Sequence, residues 1–218
     1  LVVRYTVLGL IALIFVFPLV FMLMSSLKPD AQLLSDTRSL RAFLPVGDIS
    51  LDNYFDAFRR APVGLFIFNS VIVTGVTVVL TLFICSAAAF AFVFVDWRGR
   101  DLVLTLILAT LIVPFETIAI PLLLIASKLP WLGFDGLTYG WLNSYQVQII
   151  PFVADGLTIF LFVQYFKDLP GELIEAARVE GASWWQVYRR VVIPLAGPVL
   201  ATAAILKFLV MYNQYLWP

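Results

Sequence analysis

Three ionisable residues lie inside long apolar runs of this 218-residue chain: Glu116, Asp155 and Lys207. Charged side chains in such runs are costly unless they face a cavity or an oppositely charged partner. Two roles are open to them. Their carboxylates could accept hydrogen bonds from the hydroxyl groups of a solute. Alternatively, Lys207 could form a buried ion pair with Asp155 or Glu116 that fixes helix packing or contacts a partner.

The remaining reactive residue types argue against several classes of enzyme. The chain has no His and a single Cys, Cys85, so an internal disulfide is excluded and imidazole or thiolate metal sites are not expected. A hydrolytic triad in its usual form needs His. No Gly-x-x-x-x-Gly-Lys-Ser/Thr sequence is present to cradle nucleotide phosphates. We therefore expect no catalytic residue, metal or cofactor in this chain, with an intramembrane protease or lipid-modifying enzyme as an alternative.

The composition is that of a membrane protein. Hydrophobic residues make up 62% of the chain and charged residues 13%, whereas a soluble domain is roughly half apolar and a quarter charged. The net charge is zero, which argues against a nucleic-acid partner. Because a bilayer core needs about 20 apolar residues per helix, we predict one transmembrane domain over residues 1–218. Its five predicted spans are about 5–24, 69–92, 102–125 (interrupted by Pro114 and Pro121), 147–166 and 196–216.

A charged, amphipathic segment, residues 168–194, separates the last two apolar runs. Pro170 suits a first helical turn, and Gly181 can adopt the left-handed conformation that ends a helix. Ser183, followed three residues later by Gln186, is a capping box that begins a second helix. Pro194 is expected to prevent that helix from continuing unkinked. The pattern predicts a bent helix pair, which we call the coupling segment.

The coupling segment resembles the EAA loop of ABC importer permeases. Glu175-Ala176-Ala177, Gly181 and Val191-Val192-Ile193-Pro194 follow the spacing of that motif, with Val191 and Ile193 replacing its usual Ile and Leu. The resemblance implies a cytoplasmic element that docks on an ATPase subunit. The alternative is an ordinary amphipathic hairpin on the membrane surface. The residues implied in coupling are Glu172, Glu175, Ala176, Ala177, Glu180, Gly181, Ser183 and Pro194.

Other stretches resemble the carbohydrate-uptake class of these permeases, in particular the second maltose-type or glycerol-phosphate-type subunit. They include Leu51-Asp52-Asn53-Tyr54, Asn69-Ser70 and the run from Tyr212 to Pro218. The resemblance implies an all-α helical bundle with five of an expected six transmembrane helices present. It also implies ATP-driven inward movement of a sugar or sugar-like solute. The implied partners are a second permease that forms a heterodimer with this chain, two ATPase subunits that use ATP, an extracytoplasmic solute-binding protein and membrane lipid.

A secondary transporter for a small polar solute is the alternative function, although no inverted repeat is evident in the sequence. The dense basic residues at Arg98, Arg100 and in the coupling segment favour a cytoplasmic N-terminus in the cell membrane. With straight spans, Glu116, Asp155 and Lys207 would all lie about 12–14 Å from the outer ends of their helices. They therefore predict one polar layer or solute path, to which we assign Glu116, Asp155, Lys207 and Asn213.

Overall fold

A computed structural model describes residues 2–36, 39–133, 136–215 and 217 of the chain. The predicted all-α architecture is confirmed, and one short antiparallel hairpin, not anticipated from the sequence, interrupts it. The elements in chain order are α1 (Val2–Ser26), α2 (Asp30–Asp36), a 3₁₀ turn (Leu40–Phe43), α3 (Asp52–Arg60), α4 (Val63–Phe94), α5 (Arg100–Ala109), a 3₁₀ turn (Thr110–Ile112), α6 (Phe115–Ala126), β1 (Pro130–Gly133), β2 (Gly136–Tyr139), α7 (Tyr145–Ile149), a 3₁₀ turn (Ile150–Phe152), α8 (Gly156–Lys167), α9 (Gly171–Val179), α10 (Trp184–Val187), a π turn (Tyr188–Val192), α11 (Ile193–Leu195) and α12 (Gly197–Tyr212).

Three stretches are long and apolar enough to cross a membrane: Val2–Ser26, Val63–Phe94 and Tyr145–Lys167. Two further stretches pass the same test only as bent pairs, α5 with α6 and the α10–α11 stretch with α12. The count reaches the predicted five if each bent pair forms one span. The individual span limits stay predictions.

The chain divides into two compact units, residues 1–68 and 69–218, with the division inside α4. A buried ion pair organises the connection after α1 in the first unit. Lys28 is 1% exposed, and its Nζ donates to Asp36 Oδ2 at 2.9 Å and to the Arg41 carbonyl at 2.6 Å. The hydrogen bond from Lys28 holds the pKa of the Asp36 carboxyl below its ordinary value. This connection is therefore folded around a fixed charge pair.

The core of the second unit joins α4, α8, α12 and the coupling segment. Phe162 and Phe166 of α8 are completely buried, as are Val187 and Val192 of the coupling segment. Small residues, including Ala89 of α4 and Ala203 of α12, complete the cluster. Small residues at helix contacts let backbones approach closely, which is how membrane helices gain packing energy. The coupling segment thus shares one core with three apolar helices.

The predicted third span is not a straight helix but two helices joined by a sharp bend. α5 and α6 meet at 104° around Pro114, which has an extended backbone. Proline has no N–H to continue the helical hydrogen bonds and restricts the residue before it. Pro121, which was also expected to interrupt the span, stays inside α6. The break therefore lies at the first proline alone.

The predicted fourth span, 147–166, is not one continuous helix. α7 ends at Ile149, a 3₁₀ turn follows, and α8 begins only at Gly156. The Asp155 carboxylate accepts a hydrogen bond from the Thr158 backbone N–H at 2.8 Å and so caps α8. The side chain acts as an N-cap, a role that favours a helix start over a helix interior. In the fifth span, α12 ends at Tyr212, and the predicted limit at residue 216 lies outside the described residues.

Gly156 lets α8 begin close against the end of α5. A Cβ atom added there would lie 2.9 Å from the Ile107 carbonyl oxygen and 3.2 Å from Leu111. A backbone atom cannot move aside as a flexible side chain can. Gly156 is therefore required by the close approach of two chain segments.

We expect Gly156→Ala to lower the free energy of unfolding by about 1–3 kcal/mol, because it overfills a packed contact. Gly75→Ala in α4 is the matched control, since a Cβ there has no neighbour within 4 Å. That change is expected to be neutral or mildly stabilising, because alanine is the better helix former. Thermal unfolding of the purified chain in detergent compares the two variants. Equal midpoints would contradict the assigned role of Gly156.

Candidate functional site

The first helix of the coupling segment, α9, ends in the conformation that the sequence predicts. Gly181 has φ +86°, in the left-handed region. Its N–H donates to the Arg178 carbonyl at 3.0 Å, and the Ala182 N–H donates to the Ala177 carbonyl at 3.0 Å. These two bonds form a Schellman cap. Pro170 stands at the N-cap of α9, one position before the first helical turn to which the sequence analysis assigned it.

The second helix begins with the predicted capping box. Ser183 Oγ accepts a hydrogen bond from the Gln186 N–H at 3.3 Å, and Gln186 Oε1 accepts one from the Ser183 N–H at 2.7 Å. The reciprocal pair satisfies two donors that a helix start leaves free. The turn between α9 and α10 is thus fixed by local hydrogen bonds.

Pro194, which was predicted to prevent the second helix from continuing unkinked, lies in that helix just after a π turn. The helix continues from Trp184 to Leu195 through the π turn, in which the Ile193 N–H donates five residues back to the Tyr188 carbonyl. A π turn shifts the register of the carbonyls ahead of it, so the proline ring is accommodated. The chain changes direction by 79° only at the junction with α12, at Ala196.

One face of the coupling segment is buried in the core. The Tyr188 hydroxyl and Ser86 Oγ of α4 share a buried hydrogen bond of 2.8 Å. The Tyr188 ring also lies 5.4 Å from Phe90 of α4 in an edge-to-face contact. Ile174 of α9 is 6% exposed. The apolar face is therefore buried by protein, which argues against the alternative of a hairpin resting on lipid.

The opposite face of α9 is exposed. The neighbouring Leu173 and Val179 are exposed as well. The exposed residues among those predicted to couple are Glu172, Glu175, Ala176, Glu180, Gly181, Ser183 and Pro194. Val179 is 89% exposed, an unusual position for a β-branched apolar side chain. Ala177 is half-buried and packs against the core of its own chain. Close approach by another chain is therefore available at Ala176, and the small size of Ala177 serves internal packing.

A cation–π contact that the sequence analysis missed braces the bend. The Arg178 guanidinium carbon lies 4.4 Å from the centre of the Trp184 ring, and Arg178 Nη1 donates to the Ala182 carbonyl at 2.6 Å. The Schellman cap brings the two residues together, although they are six positions apart. The pairing depends on the left-handed turn at Gly181, which local periodicity does not describe.

The predicted pairing of Lys207 is confirmed, with Asp155 as its partner. Lys207 Nζ lies 2.9 Å from Asp155 Oδ2, and the Lys207 and Asp155 side chains are 7% and 33% exposed. Asp155 Oδ2 also accepts a hydrogen bond from Thr158 Oγ1 at 3.0 Å. One carboxylate thus caps α8 and holds a lysine of α12. Asp155 therefore ties the start of α8 to α12 at the break in the predicted fourth span.

Glu116 and Asn213 do not join this pair. Glu116 is exposed in the first turn of α6 and makes no side-chain contact of hydrogen-bond or ion-pair type with another described residue. The 104° bend after α5 invalidates the depth expected for it in a straight span. Asn213 follows the end of α12, where its amide donates to the Leu209 carbonyl at 2.8 Å. The predicted layer of three ionisable residues therefore reduces to Asp155 and Lys207.

We expect Asp155→Asn to destabilise the chain by about 3–5 kcal/mol, because it leaves the Lys207 ammonium buried without its counter-ion. Asparagine still caps a helix, so this change isolates the charge. Lys207→Met alone leaves the carboxylate unpaired and is expected to destabilise less, since Asp155 is partly exposed. The double variant should recover part of the loss. Thermal unfolding in detergent measures all three, and additive losses in the double variant would disprove the pairing.

Comparison with known proteins gives consistent matches. Residues 84–218 match the family described as the binding-protein-dependent transport system inner membrane component. The arabinooligosaccharides transport system permease protein of Halalkalibacterium halodurans is 35% identical to this chain, over 95% of this chain and 71% of its own length. The lactose transport system permease protein of Rhizobium radiobacter is 31% identical, over 100% of this chain and 74% of its own length.

A solved structure shares the fold. It is a chain in the crystal structure of a bacterial ABC transporter involved in the import of the acidic polysaccharide alginate. The match has a TM-score of 0.82 at 24% identity and covers 99% of this chain and 71% of that chain. The family match and the identities to curated relatives agree with the coupling motif. The chain therefore belongs to the family of inner membrane components of binding-protein-dependent transport systems.

Proposed function

We propose that this chain is a permease subunit of an ATP-driven importer that moves a sugar or sugar-like solute inward. The observation that carries the proposal is the two-faced coupling segment. Its inner face is part of the core formed with α4, α8 and α12, and its outer face is exposed and carries Glu175 and Ala176 of the Glu-Ala-Ala motif. Family membership supports ATP-driven import and gives no support to a secondary transporter.

The outer face is proposed to dock on an ATPase subunit. Leu173, Ala176 and Val179 provide apolar contact, and Glu172, Glu175 and Glu180 surround it with negative charge. Movement of the ATPase would displace α9 and α10 as one body, because the cap at Gly181 and the Arg178–Trp184 contact lock their angle. The buried face would pass that displacement to the transmembrane helices, a rigid-body switch between two states.

The proposed partners follow from the same role. They are a second permease, two ATPase subunits and an extracytoplasmic solute-binding protein, with ATP bound by the ATPases alone. The proposed location is the cell membrane, with the N-terminus and the coupling segment in the cytoplasm. The basic residues Arg98, in the short turn between α4 and α5, and Arg100, the first residue of α5, support that orientation.

The solute class is supported by two relatives that are named for arabinooligosaccharides and lactose. We assign the Asp155–Lys207 pair a bracing role beside the solute path. Its charges neutralise each other and Asp155 already caps a helix, so both groups are engaged without a solute.

Reconstitution of the complete transporter in proteoliposomes tests the proposed function. The assay measures ATP-dependent uptake of lactose, arabinotriose, glycerol 3-phosphate and an alginate trisaccharide, with the cognate binding protein inside or outside the vesicles. We expect accumulation of at least one solute only with ATP and with the binding protein on the extracytoplasmic face. Uptake that persists without ATP, or no uptake of any of the four solutes, would refute the proposed function.

We expect Ala176→Trp to lower transport-coupled ATP hydrolysis by about 5- to 150-fold, because overfilling a packed contact costs about 1–3 kcal/mol. Ala176 is exposed in the free chain, so the fold of the Ala176→Trp variant should be unchanged. Arg98→Trp places the same side chain at an exposed loop position on the proposed cytoplasmic side and should leave hydrolysis within about twofold of wild type. Equal hydrolysis in the two variants would show that the docking face is misassigned.

A further inference from the structure

A small polar cavity lies where α4, α7 and the chain after α12 meet. Its volume is about 110 Å³. Polar side chains from all three segments line it: Asn69, Ser70, Thr74, Gln148 and Gln214. None of them belongs to the Asp155–Lys207 pair or to the coupling segment. The cavity is therefore a separate feature of the 69–218 unit.

Three of these polar side chains have no hydrogen-bond partner among the described residues. Thr74 is 2% exposed, and Gln148 and Gln214 are half-buried. The side chains of all three make no hydrogen bond to any described residue. One hydroxyl on a buried residue and two half-buried amides, none with a side-chain hydrogen bond to a described residue, line the same cavity. Groups of this kind can donate to and accept from a polar molecule that enters it.

Aromatic rings supply the rest of the wall. Trp217 and Phe152 line the cavity, with their ring centres 6.0 Å apart. Trp217 Nε1 donates to the Val147 carbonyl at 2.6 Å, and Phe115 packs against both rings. The indole is thus held in one orientation. A fixed apolar surface beside a few convergent polar groups is the usual composition of a ligand site.

The cavity wall carries no charged side chain in the described part of the chain. Amide groups of Gln148 and Gln214 can both donate and accept, as hydroxyl groups do, whereas recognition of phosphate or carboxylate ordinarily uses Arg or Lys. The nearby Lys207 is already paired with Asp155. The chemistry of the wall therefore favours a neutral hydroxylated molecule over an anion.

We propose that this cavity is a solute subsite that binds a neutral sugar through its hydroxyl groups. The proposal rests on the proposed function of sugar import. At about 110 Å³ the cavity is smaller than a usual ligand pocket of about 300–1,000 Å³. It therefore takes one hydroxyl-bearing edge of a sugar ring, and the rest of the solute lies outside it. Thr74, Gln148 and Gln214 are the positions that select the solute.

Thr77 provides a matched control for Thr74. It lies about one turn further along α4, is completely buried, and its hydroxyl also lacks a hydrogen-bond partner among the described residues. It does not line the cavity. Valine has nearly the shape of threonine without the hydroxyl, so Thr74→Val and Thr77→Val differ only in their relation to the cavity.

The test measures the initial uptake rate in the proteoliposomes described above, with sugar-loaded binding protein at saturation. Lactose and arabinotriose are the neutral probes, and glycerol 3-phosphate and the alginate trisaccharide are the anionic probes. We expect wild type to import a neutral probe. For that probe Thr74→Val and Gln148→Leu should each lower the rate by about two- to tenfold, the effect of one lost hydrogen bond. Thr77→Val should stay within about twofold of wild type.

Thermal unfolding is measured for each variant. Neither the Thr74 nor the Gln148 side chain has a hydrogen bond to a described residue to lose, so the midpoints should not fall. Loss of uptake by both variants with unchanged midpoints supports the subsite. Wild-type rates in both, or an equal fall in Thr77→Val, overturn it. Import of only anionic probes by wild type also overturns the subsite while leaving the proposed function intact. No import of any probe is instead a failure of the proposed function.

Discussion

The structure depends on the burial of one face of the coupling segment in the core formed by α4, α8 and α12. Val187 and Val192 are completely buried there, and Tyr188 bonds to Ser86 of α4. A segment bound only by its ends could bend without moving the helices. Because this one shares a densely packed core with them, a displacement of its exposed face must move them or break the contact. The same burial leaves the face with Glu175 and Ala176 exposed for a partner.

The predicted third and fourth spans are each interrupted by a break in the helix. Around Pro114 the chain turns by 104° into α6. Between α7 and α8 the break is closed by Asp155, which caps α8 and holds Lys207 of α12. Irregular backbone within a membrane is tolerated where side chains satisfy it or where it lines a cavity. The Asp155–Lys207 ion pair therefore serves to stabilise the break between α7 and α8.

A second set of polar side chains lies elsewhere in the same unit. Thr74, Gln148 and Gln214, which make no side-chain hydrogen bond to a described residue, line the small cavity beside Trp217, whereas Asp155 and Lys207 satisfy each other. The two sets of polar side chains thus have different proposed roles. The charged pair Asp155–Lys207 holds helices together, and the neutral side chains at the cavity are available to a solute. The proposed subsite and the proposed brace thus have different chemical requirements and separate tests.

The sequence by itself determined the features set by local chemistry and by composition. The apolar content predicted a helical membrane protein, and Gly181 and the Ser183–Gln186 box predicted the bend of the coupling segment. Caps depend on residues within one turn of each other, so their spacing is visible in the chain. The family resemblance also rested on this segment, and the comparisons confirm it.

Only the tertiary structure decided which ionisable and polar residues meet. The assumption of straight spans placed Glu116 at the same depth as Asp155 and Lys207. The bend at Pro114 removes the basis for that depth, and only Asp155 and Lys207 form a pair. The cavity at Thr74 joins residues 74, 148 and 214, which no periodicity connects. A hydropathy pattern gives the length of a span and carries no information on its bends. Contacts between distant segments depend on those bends, and for that reason they appeared only in three dimensions.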